Sequence, residues 1–271
     1  MGIKARKRIR FGCHNFLNSQ PILIPLLERN GNELEIIQDS PADLALMLRR
    51  GELDLSFVPS IEYARNPEYS LVNNISISSL GTVDTVLLIC KTKMRDIESV
   101  AVDNRSLSSI LLLKILFLEK YNRLPLFSYF EPDPEKMLLS NDAALIIGDK
   151  SFLVEKSKET NAFDLSNEWF QITGKSFVHA LLCVRDQGPI DGNIIKMILS
   201  SRDAGLSSLE RICDKTAQKA GITKGKCMDY LKNKIKYTFG PAEKEGLQEF
   251  FSLAHKHGFI KKNPELKFIS T

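Results

Sequence analysis

Strand-like and helix-like segments alternate along this chain of 271 residues in two successive runs, one on each side of Cys90. Strands separated by helices form right-handed crossovers, which build parallel sheets. The best-marked helix is predicted between a capping Ser40, with Pro41 after it, and a terminal Gly51. Apolar segments predict strands at residues 9–13, 34–38, 53–58, 83–90, 101–102, 126–130, 143–147 and 177–184. We therefore expect an α/β protein.

The two runs predict two α/β lobes with a cleft between them. From about residue 190 onward the pattern is mainly helical, so we expect the last third to pack back on the first lobe. Crossovers between the lobes are expected near Ile89 and Cys183. The predicted division is residues 1–89 and 184–271 for lobe 1, and residues 90–183 for lobe 2.

The composition fits a soluble globular protein whose partner is a small molecule. Hydrophobic residues make up 43% and charged residues 26%, and the net charge of +4 is too small to indicate nucleic acid. The basic cluster at residues 4–10 has no aromatic residues among its cations, so we expect a solvated end. No apolar run suits a membrane span or a signal peptide, so we predict a cytoplasmic protein with no membrane partner.

The five cysteines favour a reducing compartment, because they form no CxxC pair and their number is odd. Their spacings match no zinc pattern, and the sequence has no HExxH, GxGxxG or P-loop. We therefore predict no metal and no cofactor. None of the four histidines is predicted to be catalytic: His14, His179, His255 and His257.

Polar residues follow the predicted strands at their carboxyl ends, where open α/β sheets bind ligands. Asn18 follows the first strand, Ser60 the third, and Asp149 the strand at residues 143–147. Two lobes that face each other bring such loops together, so the sequence predicts one shared cleft. For Asp149 the alternative is a helix cap.

Asn18 is expected in a strand-to-helix turn, beside a helix that starts near Ser19 and Pro21. The free N–H groups at such a helix start favour an anion. An amide can donate to a carboxylate and accept from a hydroxyl at once. The alternative is that Asn18 caps the helix, although Ser19 is already available for that role.

Three clustered serines, Ser106, Ser108 and Ser109, precede an apolar helix expected to begin near Ile110. Their hydroxyls and the N–H groups of that helix can hold a carboxylate without a basic side chain. The alternative is that one serine caps the helix and the others are solvated. For Thr85, within an apolar strand, the alternative to a ligand contact is a buried β-branched residue.

Four stretches recur in this order and spacing in one known family. They are residues 15–21 (Asn-Phe-Leu-Asn-Ser-Gln-Pro), 81–87 (Gly-Thr-Val-Asp-Thr-Val-Leu), 103–109 (Asp-Asn-Arg-Ser-Leu-Ser-Ser) and 168–178 (Glu-Trp-Phe-Gln-Ile-Thr-Gly-Lys-Ser-Phe-Val). With them, residues 9–260 resemble the chorismate dehydratases of the futalosine route to menaquinone. The family has Ser where Thr85 stands, Arg where Leu107 stands, and a small apolar pair at residues 150–151.

The resemblance implies a two-lobed fold of the type 2 periplasmic-binding-protein kind and a hydro-lyase without a cofactor. The implied reaction converts chorismate to 3-[(1-carboxyvinyl)oxy]benzoate and water. It implies a catalytic Asn18 and substrate binding at Ser19, Ser60, Thr85, Ser106, Ser108, Ser109 and Asp149, and at Asp149 the helix cap stays an equal alternative. Because these motifs contain no evident His or Glu base, our hypothesis is that a substrate carboxylate takes the proton.

Two alternative functions share this architecture. The first is a solute-binding protein, since a fold does not fix a function. The second is the sister enzyme 1,4-dihydroxy-6-naphthoate synthase, whose opening motif resembles Ser-Pro-Cys-Pro-Asn-Asp-Thr. Residues 12–18 (Gly-Cys-His-Asn-Phe-Leu-Asn) do not match that motif, so the dehydratase is favoured.

Overall fold

The computed structural model describes residues 8–29, 33–66, 68–103, 105–154, 160–185 and 190–269. Its strands are β1 (Ile9–Gly12), β2 (Leu34–Ile37), β3 (Leu55–Pro59), β4 (Ser70–Ser79), β5 (Val86–Cys90), β6 (Ser99–Val102), β7 (Leu126–Tyr129), β8 (Ala143–Ile147), β9 (Asn161–Asp164), β10 (Phe177–Val184) and β11 (Ile235–Lys236). In that part of the chain they form two sheets, one in the order β11-β4-β10-β3-β1-β2 and one in the order β7-β6-β8-β5-β9.

The helices cover the faces of both sheets and form the C-terminal return. They are α1 (Gln20–Arg29), α2 (Pro41–Arg50), α3 (Ser60–Arg65), α4 (Leu107–Tyr121), α5 (Pro134–Ser140), α6 (Leu165–Thr173), α7 (Gly192–Leu206), α8 (Leu209–Thr216), α9 (Lys224–Asp229) and α10 (Pro241–Lys256). Helix α7 packs on α1 and α10 packs on β10, so the last third lies mainly on the first lobe. No helix in the described ranges is both long enough and apolar enough to cross a bilayer.

The chain passes between the two sheets at residues 80–85 and 174–176, earlier than the predicted crossovers near Ile89 and Cys183. Strand β5 pairs along its length with β8 and β9 of the second sheet. Strand β10 pairs with β3 and β4 of the first sheet. An apolar run indicates that a strand is buried, but it does not show to which sheet the strand belongs. The predicted crossovers therefore lie at the wrong ends of β5 and β10.

Both sheets are mixed, whereas the sequence predicted parallel sheets. Strand β1 runs parallel to β2 and β3, and β6 runs parallel to β7 and β8. Strand β5 is antiparallel to β8, and β10 is antiparallel to β3. Strand β5 starts at the cleft, where β6 and β8 end, and it must therefore run in the opposite direction.

Strand β4 was missed because its sequence looks like a turn. It contains adjacent asparagines, and Asn74 takes the left-handed backbone conformation with φ +62°. Asparagine tolerates this conformation better than other residues with a side chain. The pairing of β4 with β10 shifts register along the strand, so a locally irregular strand still forms ladder hydrogen bonds in the first sheet.

Helix α2 confirms its predicted signals. The Ser40 hydroxyl accepts a hydrogen bond from the Asp43 N–H at 3.2 Å, and Pro41 occupies the first helical position. Gly51 ends the helix with φ +74°, a conformation that favours glycine. Helix α4, in contrast, starts at Leu107 rather than near Ile110. Its first turn therefore includes two of the three clustered serines.

Aromatic packing joins the lobes away from the cleft. Trp169 on α6 is fully buried against Phe177 and Phe250, with ring centroids 5.8 and 6.1 Å away and nearly perpendicular planes. Its indole Nε1–H donates to the carbonyl of Ser176 at 3.1 Å. Such edge-to-face contacts add to the free energy of burial, so they stabilise the packing of α6 against β10 and α10.

Candidate active site

A cleft between the two sheets opens at the carboxyl ends of β1, β3, β6 and β8. The cavity within it has a volume of about 70 Å³, which is smaller than the roughly 300–1,000 Å³ usual for small-molecule sites. Its polar and charged lining comes from both lobes and consists of His14, Asn18, Thr85, Arg105, Ser106, Ser108, Ser109 and His179. The structure thus brings together five of the eight predicted site residues. Ser19, Ser60 and Asp149 lie outside this lining.

Asn18 lies in a short 3₁₀ turn, Leu17–Ser19, between β1 and α1. Its Oδ1 atom is buried and has no hydrogen-bond partner in the protein. On its other side, the amide lies close enough to the Tyr230 hydroxyl to lower the pKa of that phenol, against the larger effect of burial, which raises it. The side chain is thus held in the cleft with an acceptor that only a ligand or solvent can satisfy.

Ser19 fixes the turn that carries Asn18. Its hydroxyl donates to the carbonyls of His14 at 2.5 Å and Phe16 at 2.8 Å. It therefore bonds to the preceding loop. The sequence predicted that Ser19 caps α1, and the structure shows that it does not. The side chain is fully buried. Its position indicates that Ser19 shapes the turn rather than facing the cleft.

Asp149 reaches across from the second lobe to the same turn. Its carboxylate oxygens accept from the Leu17 N–H at 3.0 and 3.2 Å. Burial raises the pKa of this carboxyl group, and the Leu17 N–H partly opposes that effect. Gly148, with φ +66°, lies against the Phe16 ring, where an added Cβ would come within 3.0 Å of ring carbon. Only glycine fits this close contact between the lobes.

The serines sit at the N-terminus of α4, where the first backbone N–H groups of a helix have no partner within it. Ser106 is the N-cap residue, but its side chain makes no capping bond, and its buried Oγ has no partner. The Ser108 hydroxyl accepts from the Ile61 N–H at 3.1 Å and lies 3.2 Å from the Ser60 Oγ. Ser60 and Ser108 therefore join the lobes, while Ser106 and Ser109 face the cleft.

Arg105 is a cleft residue that the sequence reasoning did not assign. Its Nε donates to Asp103 at 2.9 and 3.1 Å, and its Nη2 donates to Asp103 at 2.9 Å. Among the described residues that line the cleft, it is the one with a permanent charge. It lies two positions before Leu107, where the family has an arginine. Arg105 belongs to the motif at residues 103–109, so the sequence alone could have indicated it as a candidate.

Thr85 and Tyr230 connect the cleft to the C-terminal return. Their hydroxyl oxygens are 3.0 Å apart, and both side chains are buried. Thr85 precedes β5, so the prediction that it lies within the strand is wrong. Tyr230 begins a π-helical turn, Tyr230–Lys234, of a kind often found at functional sites. No motif marked Tyr230, because nothing local in the sequence shows that it reaches Thr85.

The two cleft histidines are neutral over most of the pH range. Burial lowers the pKa of both His14 and His179 to about 4. The Nε2 atom of His179 lies 2.9 Å from the Ser79 Oγ, whereas the Nδ1 atom of His14 is buried without a partner. Within the described ranges, no group of three or more His, Cys, Asp or Glu residues could hold a metal ion. The cleft is therefore built from neutral donors and acceptors, with one paired arginine.

Two lobes with this sheet order and an interlobe cleft define the periplasmic-binding-protein-like class. The structure superposes on a crystal structure from Archaeoglobus fulgidus with a TM-score of 0.72 at 15% identity, covering 93% of this chain and 98% of that one. It superposes on the periplasmic aliphatic sulphonate binding protein of Escherichia coli with a TM-score of 0.65 at 12% identity, covering 98% and 95% of the two chains. The predicted fold class is confirmed.

The chain belongs to the menaquinone biosynthesis family, whose model matches residues 9–256. It is similar to a chorismate dehydratase of Thermus thermophilus, with 28% identity over 232 residues. That alignment covers 79% of this chain and 84% of the relative. The family resemblance identified from the four sequence stretches is thereby confirmed.

Proposed function

We propose that this protein is a chorismate dehydratase, a hydro-lyase that forms 3-[(1-carboxyvinyl)oxy]benzoate and water in menaquinone biosynthesis through futalosine. Membership of the menaquinone biosynthesis family and the similarity to a chorismate dehydratase support this proposal. The observation that carries it is the cleft itself, which presents three buried, unpartnered polar atoms: His14 Nδ1, Asn18 Oδ1 and Ser106 Oγ. A polar, anionic ligand suits this lining.

The reaction needs orientation and charge stabilisation more than reactive side chains. Chorismate has a hydroxyl beside the ring carbon that bears the enolpyruvyl ether. The proton on that carbon is acidic, because the charge left by its removal spreads through the diene into the ring carboxylate. The C–H and C–O bonds then break, a ring double bond forms, and H⁺ and OH⁻ leave as water. Preorganised donors at the charged groups lower the barrier to such a step.

The start of α4 supplies the donors for one carboxylate. Ser106 and Ser109 face the cleft beside the free N–H groups of the first turn, and the partial positive charge of this 15-residue helix adds to the attraction. Arg105 stands at the same wall. Because an aromatising ring passes charge to its own carboxylate, we assign the ring carboxylate to this end of the cleft.

Asn18 then acts at the enolpyruvyl side of the substrate. Its amide can donate to the enolpyruvyl carboxylate while its unpartnered Oδ1 accepts from the hydroxyl that leaves. Chorismate as a dianion has no other hydrogen-bond donor than that hydroxyl. We propose that the enolpyruvyl carboxylate takes the ring proton while Asn18 holds it in place, since the cleft histidines are weak bases with pKa values of about 4.

Incubation of the purified protein with chorismate tests the proposal. The expected product is aromatic and lighter than chorismate by one water, and liquid chromatography with mass detection follows both compounds. A folded protein that binds chorismate but returns it unchanged would instead support a solute-binding function. An inactive control is the Asn18→Ala variant.

A further inference from the structure

His14 has a buried imidazole whose Nδ1 atom is not used by the protein. Its backbone carbonyl accepts from the Ser19 hydroxyl at 2.5 Å, and its ring lies 5.0 Å from the Phe16 ring, centroid to centroid. The side chain lines the cleft, is only 5% exposed, and its Nδ1 has no hydrogen-bond partner. A buried polar atom without a partner is unfavourable, so this nitrogen requires an explanation.

The unpartnered nitrogen belongs to a group of such atoms in one place. Six buried side-chain atoms in the described residues lack a partner, and three of them line this single cleft. The other two in the cleft are Asn18 Oδ1 and Ser106 Oγ. Isolated packing defects would be scattered through the protein, whereas a cluster at a cleft indicates atoms kept for a ligand.

The two negative charges of the proposed substrate indicate that His14 acts as a hydrogen-bond donor. Chorismate brings two carboxylates, and Arg105 is already occupied by a bidentate pair with Asp103. The serines and the start of α4 serve one carboxylate, on the opposite lobe from His14. We place the second carboxylate beside Asn18. Two neutral imidazoles line that side of the cleft, and His179 already contacts Ser79 through its Nε2, which leaves the unpartnered Nδ1 of His14 as the available donor.

We propose that His14 contacts the substrate directly, donating Nδ1–H to the enolpyruvyl carboxylate that Asn18 also holds. This proposal rests on the proposed function. Two donors on one carboxylate fix its plane and direct one oxygen at the ring proton. A neutral imidazole can do this without adding charge to the cleft, and His179, which interacts with it electrostatically, has its pKa lowered by burial as well.

Three substitutions separate the roles of the two ring nitrogens. Asparagine places its amide nitrogen as many bonds from the backbone as Nδ1, and glutamine places it as far out as Nε2. We therefore expect H14N to keep most of the activity, and H14Q and H14F to lose it. One hydrogen bond to a charged group corresponds to roughly a 10- to 100-fold loss in kcat/KM. The matched control is H255N, an exposed histidine on α10.

Calorimetric titration with the reaction product decides which substrate group His14 contacts. The product retains both carboxylates but has lost the hydroxyl. If His14 holds the carboxylate, H14Q and H14F should bind the product roughly 10- to 100-fold more weakly than wild type, and H14N nearly as well. Unchanged product binding in folded H14Q would overturn the assignment, and so would H14N as weak as H14Q. Because these two variants are both polar and of similar size, their comparison does not depend on the folding of H14F.

The same experiment keeps the two proposals apart. A wild-type protein that neither converts chorismate nor binds the product would overturn the proposed function. A wild-type protein that converts chorismate, with H14Q and H14F equal to it in kcat/KM, would overturn the role of His14 alone.

Discussion

Replacing Asn18 by alanine is the sharpest test of the proposed mechanism. The Asn18 Oδ1 has no bond within the protein, so within the protein the substitution removes only the interaction of the amide with the Tyr230 hydroxyl. The folded state should therefore lose less than about 1 kcal/mol of unfolding free energy, the usual net value of one hydrogen bond. The turnover number kcat should be affected much more than the stability. Removing one preorganised donor from a developing charge typically lowers kcat by about 10²–10³, or about 2.7–4 kcal/mol in activation free energy.

Asn18→Asp separates shape from charge at the same position. Aspartate is nearly isosteric with asparagine, but it loses the N–H donor and places a negative charge beside a dianion. We expect it to be no better than alanine. The assay is steady-state product formation at saturating chorismate, with thermal melting to exclude misfolding.

Asn15 provides the matched control for both variants. It lies in the same loop, is exposed, and accepts from the Gln20 Nε2 at 2.8 Å outside the cleft lining. Asn15→Ala should keep wild-type kcat. A stable Asn18→Ala with near-wild-type kcat would refute the mechanism and leave Asn18 as a residue of the turn.

Three further predictions follow from the cleft and the lobes. The double substitution Ser106→Ala with Ser109→Ala should raise KM more than it lowers kcat, by roughly 10-fold or more per lost bond to a carboxylate; an unchanged KM in steady-state kinetics would show that these serines do not bind the substrate. Burial lowers the pKa of His14 and His179 to about 4. As the pH falls, these histidines become protonated in the unfolded chain before they do so in the folded protein. Their contribution to the free energy of unfolding should therefore be complete above about pH 6.5 and should decrease by about 1.4 kcal/mol per pH unit for each histidine down to about pH 4. Urea unfolding at pH 7 and pH 5 should show a shallower decline for His179→Gln than for wild type, and equal declines would contradict the assignment. Chorismate should also draw the lobes together, lowering the scattering radius and slowing amide exchange at residues 80–85 and 174–176; identical exchange with and without ligand would indicate a rigid cleft.

Local signals predicted the parts of the fold that local chemistry determines. The Ser40 cap and Gly51 define α2 because each satisfies backbone groups at its own helix end. The division into two lobes was predicted from alternating apolar runs, which indicate buried segments. The direction of β5 and the passage points between the sheets depend on pairing with distant strands, and no pattern within a short window contains that information.

The residues of the candidate site likewise fall into those that local patterns predict and those that depend on distant contacts. Asn18 and the serines of α4 were found because each follows a strand and starts or precedes a helix. Tyr230 was missed because its contact with Thr85 joins residues 145 positions apart. His14 carried no family signal, and only the fold shows that its ring lies in the cleft. Motifs thus identify the loops of such a site, while the contacts between lobes identify which side chains complete it.

The hydrogen bond from the Leu17 N–H to Asp149 makes the turn that carries Asn18 a structure shared by both lobes. The residue next to Asn18 is anchored by the opposite lobe, so the geometry of Asn18 depends on the distance between the lobes. Any separation of the lobes that breaks the bond between Leu17 and Asp149 would release the turn at residues 17–19. We therefore expect the position of Asn18 to respond to the opening and closing of the cleft.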